Sequence, residues 1–281
     1  MDLENIIPKN GPTINEVKKY INKYNKEIIV IKCGGSVLLE SSLFDQFIED
    51  VSVIKKLGLN VIIVHGGGKN IKKKLDENKI VSKFIDGLRV TNERTISIVE
   101  NSLNELNSEI VKKLNQKSCI AFSINSKNNI FKVKQISNDL GYVGDPEFIE
   151  NEYLKKLIDE KKLPIIVPMG KGDNNKIYNI NADIAAGSVA KEINSRRLLL
   201  MTDVEGVLDK NKKLIPEINS SVAEKMLKDG DISGGMIPKI NTCIDAVNNG
   251  VTGVVIVDGR KPHSILFELF SDKGAGTLIR K

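Results

Sequence analysis

The chain has 281 residues, of which 41% are hydrophobic and 28% are charged, and its net charge is +6. This length accommodates one large or two medium domains, and the composition is that of an ordinary globular protein. Basic and acidic residues are interspersed, and no basic block is interleaved with aromatic residues. The composition therefore argues against a nucleic-acid-binding protein.

The three cysteines, Cys33, Cys119 and Cys243, are far apart and form no C-x-x-C pair. This spacing argues against a disulfide framework and a zinc site, and it indicates a reducing compartment. The N-terminus has no basic segment followed by an apolar stretch, and no apolar run approaches the ~20 residues that span a membrane. We therefore interpret the chain as cytoplasmic, with no membrane partner and no metal site built from protein alone.

The N-terminal residues predict a polar leader followed by a helix. Residues 1–12 are polar with prolines and a glycine, which is typical of a loose segment. From Ile14 apolar residues recur at helical spacing, and Thr13 is placed as a cap. The apolar face of this helix could pack on its own domain or on another subunit.

Residues 28–36 combine a strand, a cation and a glycine turn. Four apolar residues lead into Lys32, and Gly34-Gly35 follow. A buried strand that stops at a lysine and two glycines presents a positive charge beside bare backbone N–H groups, which suits an anion, with phosphate as the favoured candidate. A strand that merely ends in a turn, with a snorkelling lysine, would have the same pattern.

The following residues alternate between helix and strand. Apolar spacing predicts a helix over 44–57 that ends at Gly58, a strand over 61–64, and a basic helix from Lys69. This β-α-β order is typical of a parallel sheet, and a long helix is predicted over 95–114.

In the second half, further strands are predicted at 165–168, 197–201 and 254–257, with a helix over 182–193 and a hairpin formed by 118–124 and 130–137. The sequence thus predicts an α/β fold with three layers (αβα) around a mainly parallel central sheet, divided into two lobes near residue 195.

The turn at His65-Gly66-Gly67-Gly68 allows several interpretations. An H-G-G-G oxyanion loop of an esterase would require a G-x-S-x-G elbow, which the chain lacks. A Walker A loop and a G-x-G-x-x-G fingerprint are also absent, which leaves a P-loop nucleotidase and a simple Rossmann dehydrogenase unsupported. What remains is a strand-to-helix turn whose N–H groups and helix dipole attract an anion.

Three further stretches carry candidate site residues. Arg89 lies between apolar neighbours and suits a carboxylate, although a lone surface arginine is common. Asn179 and Asp183 precede and open an alanine-rich helix, where Asp183 could be a helix cap or a site carboxylate. Residues 202–207 follow a strand, at the sheet edge where ligands bind in open α/β folds.

Residues 233–239 then open a helix with Gly234-Gly235 followed by Lys239. Two lysines, each beside a glycine pair, suggest a phosphate held from two sides. Phosphoryl transfer to a carboxylate needs no general base, because the acceptor is already ionised at neutral pH. Cations along the transferring group can lower its barrier by several kcal/mol.

These blocks, in this order, closely resemble the amino acid kinase family from about residue 14 onward. Its most specific parts are VIKCGGS, VIIVHGGGKNI, DGLRVT, NINADIAAG, LLMTDVEGVL and GGMIPKI. The resemblance implies ATP-dependent phosphorylation of the γ-carboxylate of N-acetyl-L-glutamate, an early step of arginine biosynthesis, with Mg²⁺ accompanying ATP. It also implies an oligomerisation helix within 1–27, an acetylglutamate-binding lobe over 28–195 and an ATP-binding lobe over 196–281.

The resemblance assigns roles to individual residues. Lys32 and Lys239 would stabilise the transition state, and Asp183 would orient them. Gly66, Gly67, Gly68, Arg89 and Asn179 would bind the substrate. The nucleotide would lie along residues of four stretches: Gly34, Gly35, Thr202, Asp203, Gly206, Leu208, Asp231, Ser233 and Met236.

The C-terminus carries a second resemblance, to the effector site of arginine-inhibited members. It comprises His263, Glu268, Gly274 and Gly276. Those members form a ring-shaped hexamer, a trimer of dimers, through an N-terminal helix. The resemblance therefore implies feedback inhibition by arginine and a homo-hexamer.

The chain departs from the family pattern at Cys33, Lys69-Asn70 and Val255, none of which is a proposed catalytic residue. Two alternatives remain. One is another amino acid kinase, acting on aspartate, glutamate or carbamate. The other is a non-catalytic arginine sensor, which the presence of Lys32, Asp183 and Lys239 together disfavours.

Overall fold

The computed structural model describes residues 3–281. These residues contain fourteen strands and nine helices. The strands are β1 (Ile28–Cys33), β2 (Asn60–His65), β3 (Phe84–Ile85), β4 (Leu88–Arg89), β5 (Ala121–Ile124), β6 (Phe131–Gln135), β7 (Gly144–Ile149), β8 (Leu163–Ile166), β9 (Met169–Lys171), β10 (Ile177–Asn179), β11 (Arg197–Thr202), β12 (Glu217–Asn219), β13 (Val254–Asp258) and β14 (Gly276–Arg280). The helices are α1 (Ile14–Ile21), α2 (Ser41–Lys56), α3 (Gly68–Glu77), α4 (Glu93–Gln116), α5 (Asn151–Asp159), α6 (Ala182–Glu192), α7 (Ser220–Lys228), α8 (Met236–Asn248) and α9 (Ser264–Phe270).

Eight strands form the central sheet, in the order β12-β14-β13-β11-β1-β2-β8-β5. Pairing is parallel from β13 to β5, and β14 runs antiparallel to β13. A four-stranded sheet, β10-β9-β6-β7, and the β3-β4 hairpin complete the fold. The predicted mainly parallel α/β architecture is confirmed.

Alternation along the buried strands divides the core into two layers. In β1, Val30 faces a cluster shared with α5, α6, α7 and α8, whereas Ile29 and Ile31 face a cluster shared with α1, α2, α4 and α9. The strands are apolar on both faces because helices cover both, which is the expected pattern for a parallel sheet. Three layers result, as predicted.

The hairpin predicted over 118–137 is wrong. β5 pairs in parallel with β8 in the central sheet, whereas β6 pairs with β7 in the smaller sheet. Asn125 caps a short 3₁₀ turn at Ser126–Asn128, so the polar connection carries the chain from one sheet to the other. Local turn residues could not reveal this, because each strand pairs with a partner further along the chain, β8 for β5 and β7 for β6.

The N-terminal helix packs on its own chain. Thr13 and Glu16 form a capping box at its start. Val17 and Tyr24 are fully buried, and the Tyr24 ring meets the ring of Phe270 edge-on at 6.3 Å. The preceding segment is not loose where the structure describes it, because its apolar side chains pack against the same cluster: Leu3, Ile6 and Ile7.

The order of the central strands positions the site. β1 lies between β2 and β11, and Lys32 is in register with Val64 on one side and Leu200 on the other. Strands that follow β1 in the chain, β2 and β8, are added on one side of β1. Strands that follow later, β11 and β13, are added on its other side. The turns that follow β1, β2 and β11 therefore meet at one edge, at a point where the strand order reverses, which is where ligands bind in such sheets.

The proposed lobe boundary near residue 195 falls between α6 and β11. Strands from both sides of it join the central sheet. Among residues 3–281, no helix has the length and apolar character that crossing a membrane requires.

Candidate functional site

A cavity of about 260 Å³ opens at the carboxyl edge of β1 and β2. Its walls include the turn at Gly34-Gly35, the turn at 66–68, the Arg89 region and the segment 179–183. Nearly all the substrate-binding and catalytic residues expected from the sequence lie here, and Lys239 reaches the same wall through Asp183.

Asp183 is held between two lysines. Lys32 Nζ lies 3.0 Å from Asp183 Oδ1 in an ion pair, and Lys239 Nζ donates a 2.7 Å hydrogen bond to Oδ2. All three side chains are mostly buried. Burial alone would raise the pKa of the Asp183 carboxyl, but the two ammonium groups reverse this effect and hold its pKa well below the usual range. The carboxylate stays ionised and fixes both cations at the cavity wall.

Helix packing brings Lys239 to Asp183, which is 56 positions away in the sequence. Both residues lie in the first turns of their helices, α6 and α8. The helices approach closely because α6 is lined with Ala185, Ala186 and Gly187, and a Cβ on Gly187 would lie 2.7 Å from Thr242 Cγ2. The N-cap of α6 is Asn181, which accepts the N–H of Asp183 at 2.9 Å. Asp183 is therefore not the N-cap, and its side chain lies in the cavity wall.

The two glycine turns are closely packed. Gly35 has φ +61°, and a Cβ there would lie 2.9 Å from Asp203 Oδ1. A Cβ on Gly67 would lie 2.7 Å from Leu103 Cδ2. Side chains are excluded at both positions, so the cavity wall beside Lys32 is bare backbone there.

The far side of the cavity is lined by Arg89 and Asn179. Arg89 is buried; it donates to Ser82 Oγ at 2.5 Å and to the carbonyl oxygen of Gly68 at 2.8 Å, and the Phe84 ring lies over its guanidinium. These contacts hold its position, and two of its five N–H donors at most are used by them. Arg89 can therefore bind a carboxylate in the cavity.

His65, directly before the triple-glycine turn, is fully buried. Its Nδ1 lies 3.0 Å from the carbonyl oxygen of Gly66, and Asn107 Nδ2 lies 3.1 Å from its Nε2. Burial lowers the pKa of His65 to about 4, so it is neutral at neutral pH. The amide of Asn107 can only donate to Nε2, and the ring proton is therefore on Nδ1, where it fixes the Gly66 carbonyl.

Of the predicted nucleotide residues, Gly34 and Gly35 line the cavity, and the others lie at the edge beside it. Asp203 accepts from the backbone N–H of Ser36 at 3.3 Å and from the Ser36 hydroxyl at 3.1 Å. Lys210 Nζ and Asp231 Oδ1, 3.5 Å apart, connect two of the loops. The other predicted nucleotide residues at this edge differ in burial. Thr202 and Met236 are half-buried, Gly206 is buried against Thr277, and Leu208 and Ser233 are exposed.

A second cavity, of about 290 Å³, lies where α1, α9 and β14 meet. Glu268, Gly274 and Gly276 line it, together with Lys23 and Arg197. Burial raises the pKa of the Glu268 carboxyl, which accepts the N–H of Ala275 at 2.9 Å. Arg197 Nε is buried with no hydrogen-bond partner among residues 3–281.

His263 lies away from this second cavity. Its Nδ1 is 2.5 Å from Asp50 Oδ1 on α2, and both side chains are largely buried. The hydrogen bond to Asp50 raises the pKa of His263 above its usual value. The structure thus places three of the four predicted effector residues together and His263 at the contact between α9 and α2.

Sequence reasoning missed the partners that hold the site residues in place. Asn181 was available as a cap signal, since asparagine directly before an alanine-rich helix is a strong N-cap. The contact of Ser36 with Asp203 joins residues 167 positions apart, and no local pattern indicates it.

Comparisons with known proteins agree on one family. Residues 27–258 match the amino acid kinase family. Acetylglutamate kinase of Pelagibacter ubique (strain HTCC1062) is 59% identical over 281 residues, covering 100% of this chain and 98% of that protein. Acetylglutamate kinase of Rhodospirillum centenum (strain ATCC 51521 / SW) is 42% identical, covering 95% of this chain and 92% of that one.

A solved structure shares the fold at lower identity. N-acetylglutamate synthase from Neisseria gonorrhoeae, complexed with coenzyme A and N-acetyl-glutamate, matches with a TM-score of 0.87 and 22% identity. The match covers 95% of this chain and 62% of that one, so the chain corresponds to under two thirds of the longer protein.

Proposed function

This chain belongs to the amino acid kinase family, and we propose that it transfers the γ-phosphoryl group of ATP to the γ-carboxylate of N-acetyl-L-glutamate. The observation that carries the proposal is the pair of buried lysines fixed on Asp183 at the wall of a glycine-lined cavity. The high identity to two acetylglutamate kinases over nearly the full length supports the choice of acceptor. The product is N-acetyl-L-glutamyl 5-phosphate, an intermediate of arginine biosynthesis.

In the proposed reaction, some residues of the cavity bind the substrate and others stabilise the charge of the phosphoryl group. Arg89 binds the α-carboxylate of acetylglutamate, Asn179 its remaining polar groups, and the N–H groups of Gly67 and Gly68 face its reacting end. The N–H of Gly66 completes the turn by donating to the carbonyl oxygen of Cys33 at 2.7 Å. The γ-carboxylate is already ionised, so its oxygen attacks the γ-phosphorus of ATP directly and no base is required. The bond from phosphorus to the β,γ-bridging oxygen breaks, and ADP leaves with the electron pair.

Lys32 and Lys239 neutralise the charge on the transferring phosphoryl group. Their ammonium groups are preorganised by Asp183 and mostly shielded from water, where such charges stabilise a transition state most effectively. Gly34 and Gly35 supply backbone N–H groups on the same side. The nucleotide extends along Asp203, Met236 and the neighbouring loops.

Mg²⁺ would enter with ATP. Among residues 3–281 no cluster of three or more histidine, cysteine, aspartate or glutamate side chains is suited to a metal, and Asp183 is the cavity's one carboxylate there. This fits an ion that would be held by the phosphates and water, as is usual for Mg²⁺ in kinases. The ion would supply additional neutralisation of phosphate charge.

The test of the activity is an ATP-dependent hydroxamate assay with pure protein. Acetylglutamate should yield hydroxamate, and glutamate and aspartate should yield little, as expected from the identity to acetylglutamate kinases. A higher yield with glutamate or aspartate would transfer the assignment to a sister kinase. No hydroxamate with any acceptor, while arginine still binds, would indicate a sensor.

Arginine is proposed as a feedback inhibitor that binds the second cavity. The Glu268 carboxylate suits a guanidinium or ammonium group, and Lys23 and Arg197 suit the ligand's carboxylate. Glu268→Gln should raise the arginine concentration for half inhibition by roughly tenfold, since it removes one charge-assisted contact. Glu224→Gln, on the exposed face of α7, is the matched control. Full activity of the unmodified protein in excess arginine would contradict the proposal.

We also propose a homo-hexamer located in the cytoplasm. Light scattering should give six times the chain mass of 31.0 kDa. One or two times that mass would contradict the assembly. The three free, buried cysteines are compatible with a reducing compartment.

A further inference from the structure

Lys69 stands in the first turn of α3, where a cation is electrostatically unfavourable. The N-terminus of a helix carries partial positive charge, so a lysine there is repelled by the helix dipole. The first turn of α3 contains no acidic residue, and its N-cap, Gly67, provides no side-chain hydrogen bond. The uncapped N–H groups and the Lys69 charge therefore combine their attraction for an anion.

The side chain of Lys69 points to the other glycine turn. Its Nζ donates a 2.7 Å hydrogen bond to Ser36 Oγ and lies 3.5 Å from Asp203 Oδ2. The Ser36 hydroxyl accepts from Lys69 and donates to Asp203 at 3.1 Å. Three turns, after β1, β2 and β11, are thus connected through one ammonium group.

The donors in this network converge on a carboxylate. Asp203 receives the Ser36 N–H, the Ser36 hydroxyl and the Lys69 ammonium. A group of donors that holds a carboxylate in this way can hold a phosphate oxygen equally well. The hydrogen bond to Ser36 anchors Lys69, whereas its contact with Asp203 is long and the side chain is about half exposed.

Lys69 lies close to the wall of the first cavity. Ser36 directly follows Gly34 and Gly35 in the cavity wall, and Asp203 lies on the nucleotide edge. Lys69 therefore lies between the place where the γ-phosphoryl group is transferred and the edge along which the nucleotide extends. A cation at this place can offset the repulsion between Asp203 and the other phosphates of the nucleotide.

Resting on the function proposed above, we propose that Lys69 is a third phosphate-binding cation, which contacts the non-transferred phosphates of the nucleotide. Ser36 holds the ammonium group of Lys69 in place by a hydrogen bond. Asp203 is the anionic partner of this ammonium group until the nucleotide binds. Lys69 is a nucleotide-binding residue that acts together with the Lys32–Asp183–Lys239 group and is separate from it.

The test compares Lys69→Met, Lys69→Arg and a control, Lys72→Met. Lys72 lies on the same helix, is exposed and pairs with Asp76, so its loss changes the net charge equally without touching the site. Calorimetric titration with ADP should show roughly tenfold weaker binding for Lys69→Met, the effect of one partly exposed charge-assisted hydrogen bond. Lys69→Arg should stay within about threefold of the parent, since it keeps the charge, and Lys72→Met should match the parent.

In the kinase assay, Lys69→Met should raise the KM for ATP and leave the KM for acetylglutamate within about twofold. ADP affinity equal to that of the parent would overturn the inference. Equal losses for ATP and acetylglutamate would also overturn it, because they would indicate a collapsed turn. If the parent binds ADP but phosphorylates no acetylglutamate, the proposed function fails, whereas the ADP comparison still decides the role of Lys69.

Discussion

In the proposed reaction, the lysines on Asp183 act on the charge that develops as the phosphoryl group is transferred. Lys32→Ala and Lys239→Ala should each lower kcat by roughly 10²–10³-fold, with a much smaller change in KM, because their ammonium groups stabilise the transition state more than the bound substrates. Steady-state kinetics in both substrates measures the two parameters. Lys73→Ala, an exposed lysine on α3, serves as the control. A rise in KM with unchanged kcat would assign the lysines to ground-state binding.

The buried His65 makes the protein sensitive to acid. Its pKa is lowered by burial from 6.5 to about 4 in the folded chain. Between these pH values the unfolded chain binds a proton that the folded chain does not, so stability falls as pH decreases from 6.5 to 4. The loss is on the order of 3 kcal/mol.

His65→Gln should flatten this part of the stability profile, because glutamine does not titrate. Urea denaturation of both proteins at pH 4.5 and 7 measures the difference. An equal acid loss in the variant and the parent would show that His65 is not its source.

At the scale of elements, the spacing of α6 and α8 determines whether Lys239 reaches Asp183. Gly187→Ala places a Cβ against Thr242 Cγ2, at a separation of 2.7 Å before any adjustment. We expect a loss of about 1–3 kcal/mol in the free energy of unfolding, as for other overpacked cores, together with lower kcat. Chemical denaturation and kinetics on one preparation measure both.

Thr242→Ser offers a compensating change, since it removes Cγ2 and keeps the hydroxyl that donates to the Pro238 carbonyl oxygen at 3.0 Å. The double variant should recover stability and kcat together. Failure of Thr242→Ser to restore either would show that the strain arises elsewhere.

The contact of α9 with α2 has the opposite pH dependence from His65. The hydrogen bond to Asp50 raises the pKa of His263, so its stabilisation is fully present below the unfolded pKa of about 6.5 and is lost as pH rises through the folded value. His263→Asn should cost about 1–2 kcal/mol at pH 6, and less at pH 8.5. Thermal denaturation at both pH values measures the difference. A cost that grows towards pH 8.5 would contradict this account.

At the scale of the whole molecule, the core excludes reagents from the thiols. All three cysteines are free and buried, and burial raises the pKa of Cys33 to about 12. Native protein should react negligibly with a thiol reagent at pH 8, and unfolded protein should release three equivalents, one for each cysteine. Rapid labelling of native Cys33 would show that β1 opens on the time scale of the experiment.

Much of this architecture could be predicted from local patterns. Buried strands, glycine turns and the long helices have strong periodic signals, and each site lysine is recognisable beside its glycine pair. The placement of β5 and β6 in different sheets could not be predicted, because both segments have strand character and only the later strands with which they pair distinguish them. The partner of His263 lies 213 positions away, and no local pattern identifies Asp50 as that partner.

The alternation of side chains between the two faces of β1 also limits which insertions and deletions this part of the chain can tolerate. Lys32 faces the helix layer that holds Asp183, whereas its neighbour Cys33 is packed in the opposite layer. Since successive residues of a strand point to opposite faces, loss of a single codon between Ile28 and Ile31 would exchange their sides. The thiol would then meet the carboxylate and the ammonium would enter an apolar core. Substitutions among the branched aliphatic residues here are tolerable in principle, but insertions and deletions of one residue are not.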